Sequence, residues 1–453
     1  MTERERERER KERVIVGDER RESDRGENER EMGGSSASSL AKNERDATKQ
    51  RDMVAGSASS LAKRWREVQG SRNWQGLLDP LDVELRREII RYGEFAGVPN
   101  CAFDDEPRSR NLGNSYFSKP ELLQRCGLPS TGYTITRYIY SLSTNVDLPQ
   151  FIVKSVAQDP SGRSKESNWI GFIMVATDAQ EIQRLGRRDI VIVWRGTRRN
   201  LEWLEVIEAE LIPISASIPD LKAEKGFWSL FTDSEAKSLF NKKSAAQQVT
   251  EEVQRLVETY KNEELSITCV GHSLGAALAT YSAFHIAEAK SNTTSQASDH
   301  PASIPITVFT WGGPREGNKE FKDKLDSLGV HCLRVRNVKD ILTEVPPSAL
   351  GYIHVGVKLE VDYDKSPYLK PTTNTGDWHN LDAYLHLVDG THGPQADFSL
   401  EVHRDLALLN RSADLLLDSY SVPGIWWQVQ NKGLVQAKDG KWSEPELNLE
   451  LYI

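Results

Sequence analysis

Leu265-Ser-Ile-Thr-Cys-Val270 runs directly into Gly271-His-Ser-Leu-Gly275 and on into Ala276-Ala-Leu-Ala-Thr-Tyr-Ser-Ala-Phe-His-Ile-Ala287. The first piece is a short apolar run of the kind that forms a strand covered on both faces, and the last is an Ala-rich helix pattern. Between them lies a Gly-x-Ser-x-Gly turn. Alone, that pentapeptide is common enough to arise by chance; flanked by a strand and a helix it becomes a sharp turn that holds the serine backbone under strain. Such a turn tolerates only small flanking residues, hence Gly271 and Gly275. Ser273 is then presented at a helix N-terminus, where the dipole and the free N–H of Leu274 stabilise negative charge on an acyl oxygen. Ser273 is the candidate nucleophile, and an inert serine in a Gly-rich turn is the alternative.

Around this stretch, β-rich apolar runs fall at 169–177, 189–194, 304–311 and 331–335. Helical patterns lie between several of them. The clearest covers 244–260, where Val249, Val253, Leu256, Val257 and Tyr260 share a face and Ser244 with Gln247 makes a capping box. Strands alternating with helices predict an α/β fold with a largely parallel sheet.

A hydroxyl is a poor nucleophile near neutral pH, so a histidine must take its proton and a carboxylate must orient that histidine. Both are expected downstream of the serine, acid before base. Asp340 follows the 331–335 strand and precedes Pro346-Pro347, a loop position from which a carboxylate reaches the edge of the sheet; Asp362, Asp364 and Asp377 are substitutes. Among nine histidines, His379 and His386 stand at workable positions, with His392 behind them. If Trp378 to His386 forms one helix, the two lie on one face two turns apart and only one reaches Ser273. His379, at the loop–helix junction, is favoured, with His386 as a structural histidine.

The formal net charge of −9 and the pI near 5.7 exclude the basic surface that nucleic acid requires, and they make apolar contact the main route to any lipid surface. Four scattered cysteines, Cys101, Cys126, Cys269 and Cys332, fit neither a disulfide scaffold nor a metal site. No apolar run reaches the roughly 18 residues of a membrane span. Residues 1–64 contain no Phe, Tyr or Trp and repeat Ser-Ala-Ser-Ser-Leu-Ala-Lys at 36–42 and 57–63, so they are expected to form a disordered tail. A single folded domain is expected over 65–453. Residues 1–31 mix Glu and Asp with Arg, unlike an acid-poor transit peptide, and the expected location is therefore the cytosol.

Trp194-Arg-Gly-Thr197, Gly271-His-Ser-Leu-Gly-Ala-Ala-Leu-Ala279, Asn337-Val-Lys-Asp340 and Trp378-His-Asn-Leu together resemble the class 3 lipases, which have the α/β-hydrolase fold. Leu77-Leu-Asp-Pro-Leu-Asp82, Gly226-Phe-Trp-Ser229 and Asn431-Lys-Gly433 are similar to the plant class II phospholipase A1 group, extending the resemblance from about residue 65 to the end. It implies hydrolysis of the sn-1 acyl ester of glycerophospholipids by a cytosolic enzyme, with neither metal nor cofactor. It places the triad on Ser273, Asp340 and His379, and the oxyanion donors on Leu274 and Thr197. It also makes 198–211, with Leu201, Trp203, Leu204, Val206, Ile207 and Leu211, a lid over the site; a buried core helix is the competing reading. Thr343-Glu344 before the prolines departs from the group. The implied partner is a lipid, met in transient contact with a membrane surface. Galactolipid and mono-, di- or triacylglycerol are alternative substrates, and a non-catalytic lipase-like signalling scaffold is the alternative function.

Overall fold

The computed structural model describes residues 61–106, 108–142, 168–197, 209–294 and 303–453. The expected tail lies outside the described residues except for its last four, which open a helix over 61–68 that buries Leu61 and Trp65.

Nine strands build the site-bearing part: β1 (Tyr133–Ser141), β2 (Asn168–Ala176), β3 (Arg188–Trp194), β4 (Leu211–Pro213), β5 (Lys222–Glu224), β6 (Leu265–His272), β7 (Ile306–Trp311), β8 (His331–Asn337) and β9 (Val357–Val361). Seven form one sheet in the order β1-β2-β3-β6-β7-β8-β9, while β4 and β5 pair separately. From β3 to β9 the neighbours are parallel; β1 and β2 run antiparallel at one side. From Ile190 to Trp194 the apolar character of β3 is continuous because both its faces are covered. Val191 and Val193 join one core with the helices Val83–Ala102 and Leu381–Gly390, and Ile190, Ile192 and Trp194 join the other with Ala245–Thr259 and Leu274–Glu288.

The parallel register brings the strand ends to a common edge. Trp194 pairs with Gly271, His272 with Trp311, and Trp311 with Val335. The chain leaving β3, β6, β7 and β8 therefore enters the loops that hold the site, as open α/β sheets require. The predicted helix at 244–260 is Ala245–Thr259, and both halves of its capping box form. β1, β9 and the 20-residue helix Val83–Ala102 are elements beyond those that the sequence pattern predicts. Lys358 and Glu360 alternate with Val357, Leu359 and Val361 in β9, an edge pattern too short to separate from a loop.

Candidate active site

Ser273 sits between β6 and the helix Leu274–Glu288 with φ 59° and ψ −127°, a strained conformation for a residue with a side chain. Its N–H donates to the carbonyl of Trp311 at 3.0 Å, fastening the turn to β7. The flanking glycines are forced by space. A Cβ on Gly271 would lie 2.0 Å from the Gly275 carbonyl oxygen, and one on Gly275 would lie 2.5 Å from that of Trp194. Ser273 is only 2% exposed, so the residue presented at the helix N-terminus is enclosed in this structure.

Asp340 is fully buried, and every contact it makes is directional. Oδ1 accepts the N–H of Leu342 at 3.0 Å, capping a short 3₁₀ turn, Ile341–Glu344. Oδ2 accepts the hydroxyl of Tyr384 at 2.6 Å and faces His379 Nδ1 at 2.7 Å. Tyr384 is held in turn by the N–H of Asn337, which donates to its hydroxyl at 3.1 Å. Asn337 also donates from Nδ2 to the carbonyl of Trp378 at 2.9 Å. The loops after β8 and before Leu381–Gly390 are thus cross-linked. Glu344, the departure from the family pattern, pairs with Arg315 and at 3.1 Å with Arg336, bracing the far side of the acid loop.

His379 ends a short helix, Thr375–Trp378, and Asn380 starts the next by capping Asp382 and Ala383. The single helix considered for 378–386 is therefore broken at the junction, because Asn380 offers its side chain to a new set of N–H groups. His386 turns elsewhere, to Ser366 Oγ at 2.7 Å, and burial pushes its ring down to about 3. His392 meets Ser399, Asp362 and Asp364 lie around a separate turn, and Asp377 takes the Thr372 hydroxyl at 2.6 Å. None of these competes with the Asp340–His379 pair.

The opposite nitrogen of His379, Nε2, is buried without a hydrogen-bond partner. The structure thus joins Asp340 to His379 and stops short of a hydrogen bond from His379 to Ser273. Gly312, the residue after Trp311, whose carbonyl takes the Ser273 N–H, lies against the pair: a Cβ there would meet His379 Cε1 at 2.9 Å and Asp340 Oδ2 at 3.1 Å. Across the elbow, a Cβ on Gly196 would lie 3.4 Å from the Ser273 Cβ, and the next residue, Thr197, has a buried hydroxyl without a partner. Residues 198–208 of the expected lid lie outside the described residues.

His272, beside Ser273 inside the Gly-x-Ser-x-Gly turn, connects the two halves of the site. Its Nε2 lies 2.7 Å from the carbonyl of His379, and the two rings are 4.6 Å apart. Burial, reinforced by His379, pushes it down to about 3. Its place inside the Gly-x-Ser-x-Gly motif was the available signal; Tyr384 had none.

A parallel sheet with an enclosed serine at a strand–helix elbow and a buried Asp–His pair at the same edge defines an α/β-hydrolase. Residues 191–350 match the family described as Lipase (class 3). Phospholipase A1-Igamma3, chloroplastic, of Arabidopsis thaliana is 46% identical over 410 residues, covering 84% of this chain and 76% of that protein. Phospholipase A1-Igamma1, chloroplastic, of the same plant is 44% identical over 84% and 78%. Phospholipase A1-II 1 of Oryza sativa subsp. japonica is 42% identical over 83% and 94%. Among solved structures, a lipase from Rhizopus microsporus var. chinensis aligns with 64% of this chain and 78% of its own at 21% identity and a TM-score of 0.39. The chain belongs to the plant phospholipase A1 group of the class 3 lipases, and it is a serine hydrolase of lipid acyl esters.

The expected cytosolic location is overturned. Three relatives at 40–46% identity carry the word chloroplastic in their names. The expectation rested on the mixed charges of residues 1–31 and on the resemblance to the class II group, and charge composition alone does not decide a protein's location. Among the described residues no helix is long and apolar enough to cross a membrane.

Proposed function

We propose that the protein is a phospholipase A1 that releases the sn-1 fatty acid of glycerophospholipids through an acyl-Ser273 intermediate, acting from a single catalytic domain that begins near residue 65. The observation that carries the reading is the 2.7 Å contact of Asp340 Oδ2 with His379 Nδ1, which leaves Nε2 as the free base. Ser273 Oγ attacks the ester carbonyl carbon as its proton passes to Nε2, and the buried carboxylate stabilises the imidazolium so formed. The resulting oxyanion is met by the N–H groups of Leu274 and Thr197. Collapse expels the lysophospholipid alcohol, which takes the proton from His379. Water, deprotonated by the same nitrogen, then cleaves the acyl-serine to a free fatty acid. Apo hydrogen bonds in such sites are often long and tighten only with substrate, in keeping with the open Nε2.

The sn-1 preference is supported by the relatives named phospholipase A1. It is tested with a phosphatidylcholine that carries different chains at sn-1 and sn-2, given to the enzyme and to Ser273→Ala. Release of the sn-1 chain alone, abolished in the variant, is the expected result, and release of only the sn-2 chain overturns the reading. A fluorophosphonate probe should label the native protein at Ser273; no labelling favours the scaffold alternative.

A further inference from the structure

Asn431-Lys-Gly433, a motif that catalysis leaves unused, has consecutive left-handed residues with φ of 52°, 51° and 85°. It turns the chain into a two-rung hairpin in which Val435 pairs with Ser443 and Gln436 with Trp442. A ribbon so short has no stability of its own. It is fixed from both ends: Lys432 Nζ reaches Glu106 at 2.8 Å, the Arg110 N–H donates to Glu444 Oε2 at 2.8 Å, and Asn111 Nδ2 donates to the Pro445 carbonyl at 3.3 Å. The hairpin's apolar side chains take no part in this. Val435 is 50% and Trp442 54% exposed. They belong to different rungs and opposite faces, so laying the ribbon down on the protein covers one and leaves the other in water. Lys438 and Lys441 stand exposed at the tip.

The hairpin's mounting fixes its place in the fold. Close to Asn111 in sequence, Gly113 accepts the N–H of Trp169 at 2.8 Å at the start of β2. That end of β2 lies beside the end of β3, Gly171 opposite Trp194, and Trp194 is paired with Gly271. The hairpin therefore stands on the sheet edge that carries Ser273. Ile341, adjacent to the buried Asp340, is 62% exposed on that same edge, and Leu350 is 54% exposed a few residues further on.

We infer that this edge is the face that meets the lipid surface and that the hairpin is its anchor, entering the bilayer interface with Trp442 at headgroup depth. The inference rests on the lipid-hydrolase reading, which requires the Ser273 edge to meet a bilayer. Trp is favoured at that depth because its ring is apolar and its N–H stays hydrated, while Lys stems lie along the interface with their charges in water. With a net charge of −9 the chain gains little from long-range attraction to anionic lipid, which leaves apolar insertion as the holding force.

The test uses the full chain carrying Ser273→Ala, so that binding is read without turnover, co-sedimented with phosphatidylcholine vesicles. Adding Trp442→Ser and Val435→Ser should lower partitioning at least tenfold, and Trp442→Phe with native Val435 should retain most of it. On the active background, hydrolysis of vesicle phosphatidylcholine should fall by a similar factor while turnover of a monomeric short-chain ester holds, which also shows that the variant folds. Unchanged partitioning in the double variant overturns the anchor, as does failure of the Ser273→Ala parent to bind vesicles. A lower mass for the double variant in sedimentation velocity also overturns it, marking the hairpin as a contact between two copies of the chain. Vesicle binding without phosphatidylcholine hydrolysis leaves the anchor standing and counts against the phospholipase reading alone.

Discussion

His272 Nε2 lies 2.7 Å from the carbonyl oxygen of His379, so the residue before Ser273 holds the backbone of the histidine proposed as base. A carbonyl only accepts, so Nε2 of His272 carries the proton, and its other nitrogen is buried without a partner. The ring is 7% exposed and neutral, pushed down to about 3 by burial. It is a positioning residue: it ties the elbow after β6 to the loop that delivers His379.

His272→Phe keeps the ring's bulk and removes the donor, leaving the His379 carbonyl unpaired. Stability should fall by about 1–3 kcal/mol and kcat on a monomeric ester by about tenfold with KM little changed. Urea unfolding and steady-state kinetics measure the two. A loss confined to KM would contradict a role in placing the base.

Gly312→Ala tests how closely the backbone hugs the Asp340–His379 pair. The residue has φ +58°, and an added methyl would lie 2.9 Å from His379 Cε1 and 3.1 Å from Asp340 Oδ2. Backbone strain at positive φ costs about 1 kcal/mol, but displacing the imidazole by a few tenths of an ångström should lower kcat by about tenfold. Fluorophosphonate labelling rates should drop in parallel. Labelling at the native rate would mean that the ring lies elsewhere in solution.

Acid should destabilise the fold through its buried neutral histidines. His272 and His386 are each pushed down to about 3, mainly by burial, whereas an unfolded histidine titrates near 6.5. Below about pH 6.5 the unfolded chain takes up protons that the folded one refuses, so this stability is present above that value and is lost as pH falls towards 3. Each ring then costs about 2 kcal/mol by pH 5. His386→Gln should flatten the acid limb of a stability–pH curve, read from urea midpoints between pH 7 and 5. Identical slopes in variant and native protein would remove His386 from this account.

On the alkaline side the sign reverses for Glu316. Burial pushes its carboxyl up to about 7, against the nearby positive charge of Arg334. The folded state favours the protonated form, so its contribution is complete below about 4.3, the unfolded value, and disappears as pH rises through 7. Glu316→Gln should therefore gain about 1–3 kcal/mol over the native chain at pH 8.5 and little at pH 5. A variant less stable at both values would indicate that attraction to the nearby Arg334 charge outweighs the burial.

Local chemistry made much of this protein legible in its sequence. Leu265–His272, Gly271, Ser273, Gly275 and the Ala-rich helix announce the elbow, because a turn that tight excludes other residues and a two-faced strand must be largely apolar. The capping box at Ser244 and Gln247 is equally local. Tertiary structure alone decided which partners meet. The Asp340–His379 contact spans 39 residues, and the choice of His379 over His386 depends on Asn380 breaking the helix between them. Tyr384 and His272 acquire their roles only because β6, β7 and β8 run parallel and finish at one edge, so that loops distant along the chain close on the same few ångströms. Sequence encodes spacing along a strand or helix; hydrogen bonds between loops depend on where the packed sheet brings their ends.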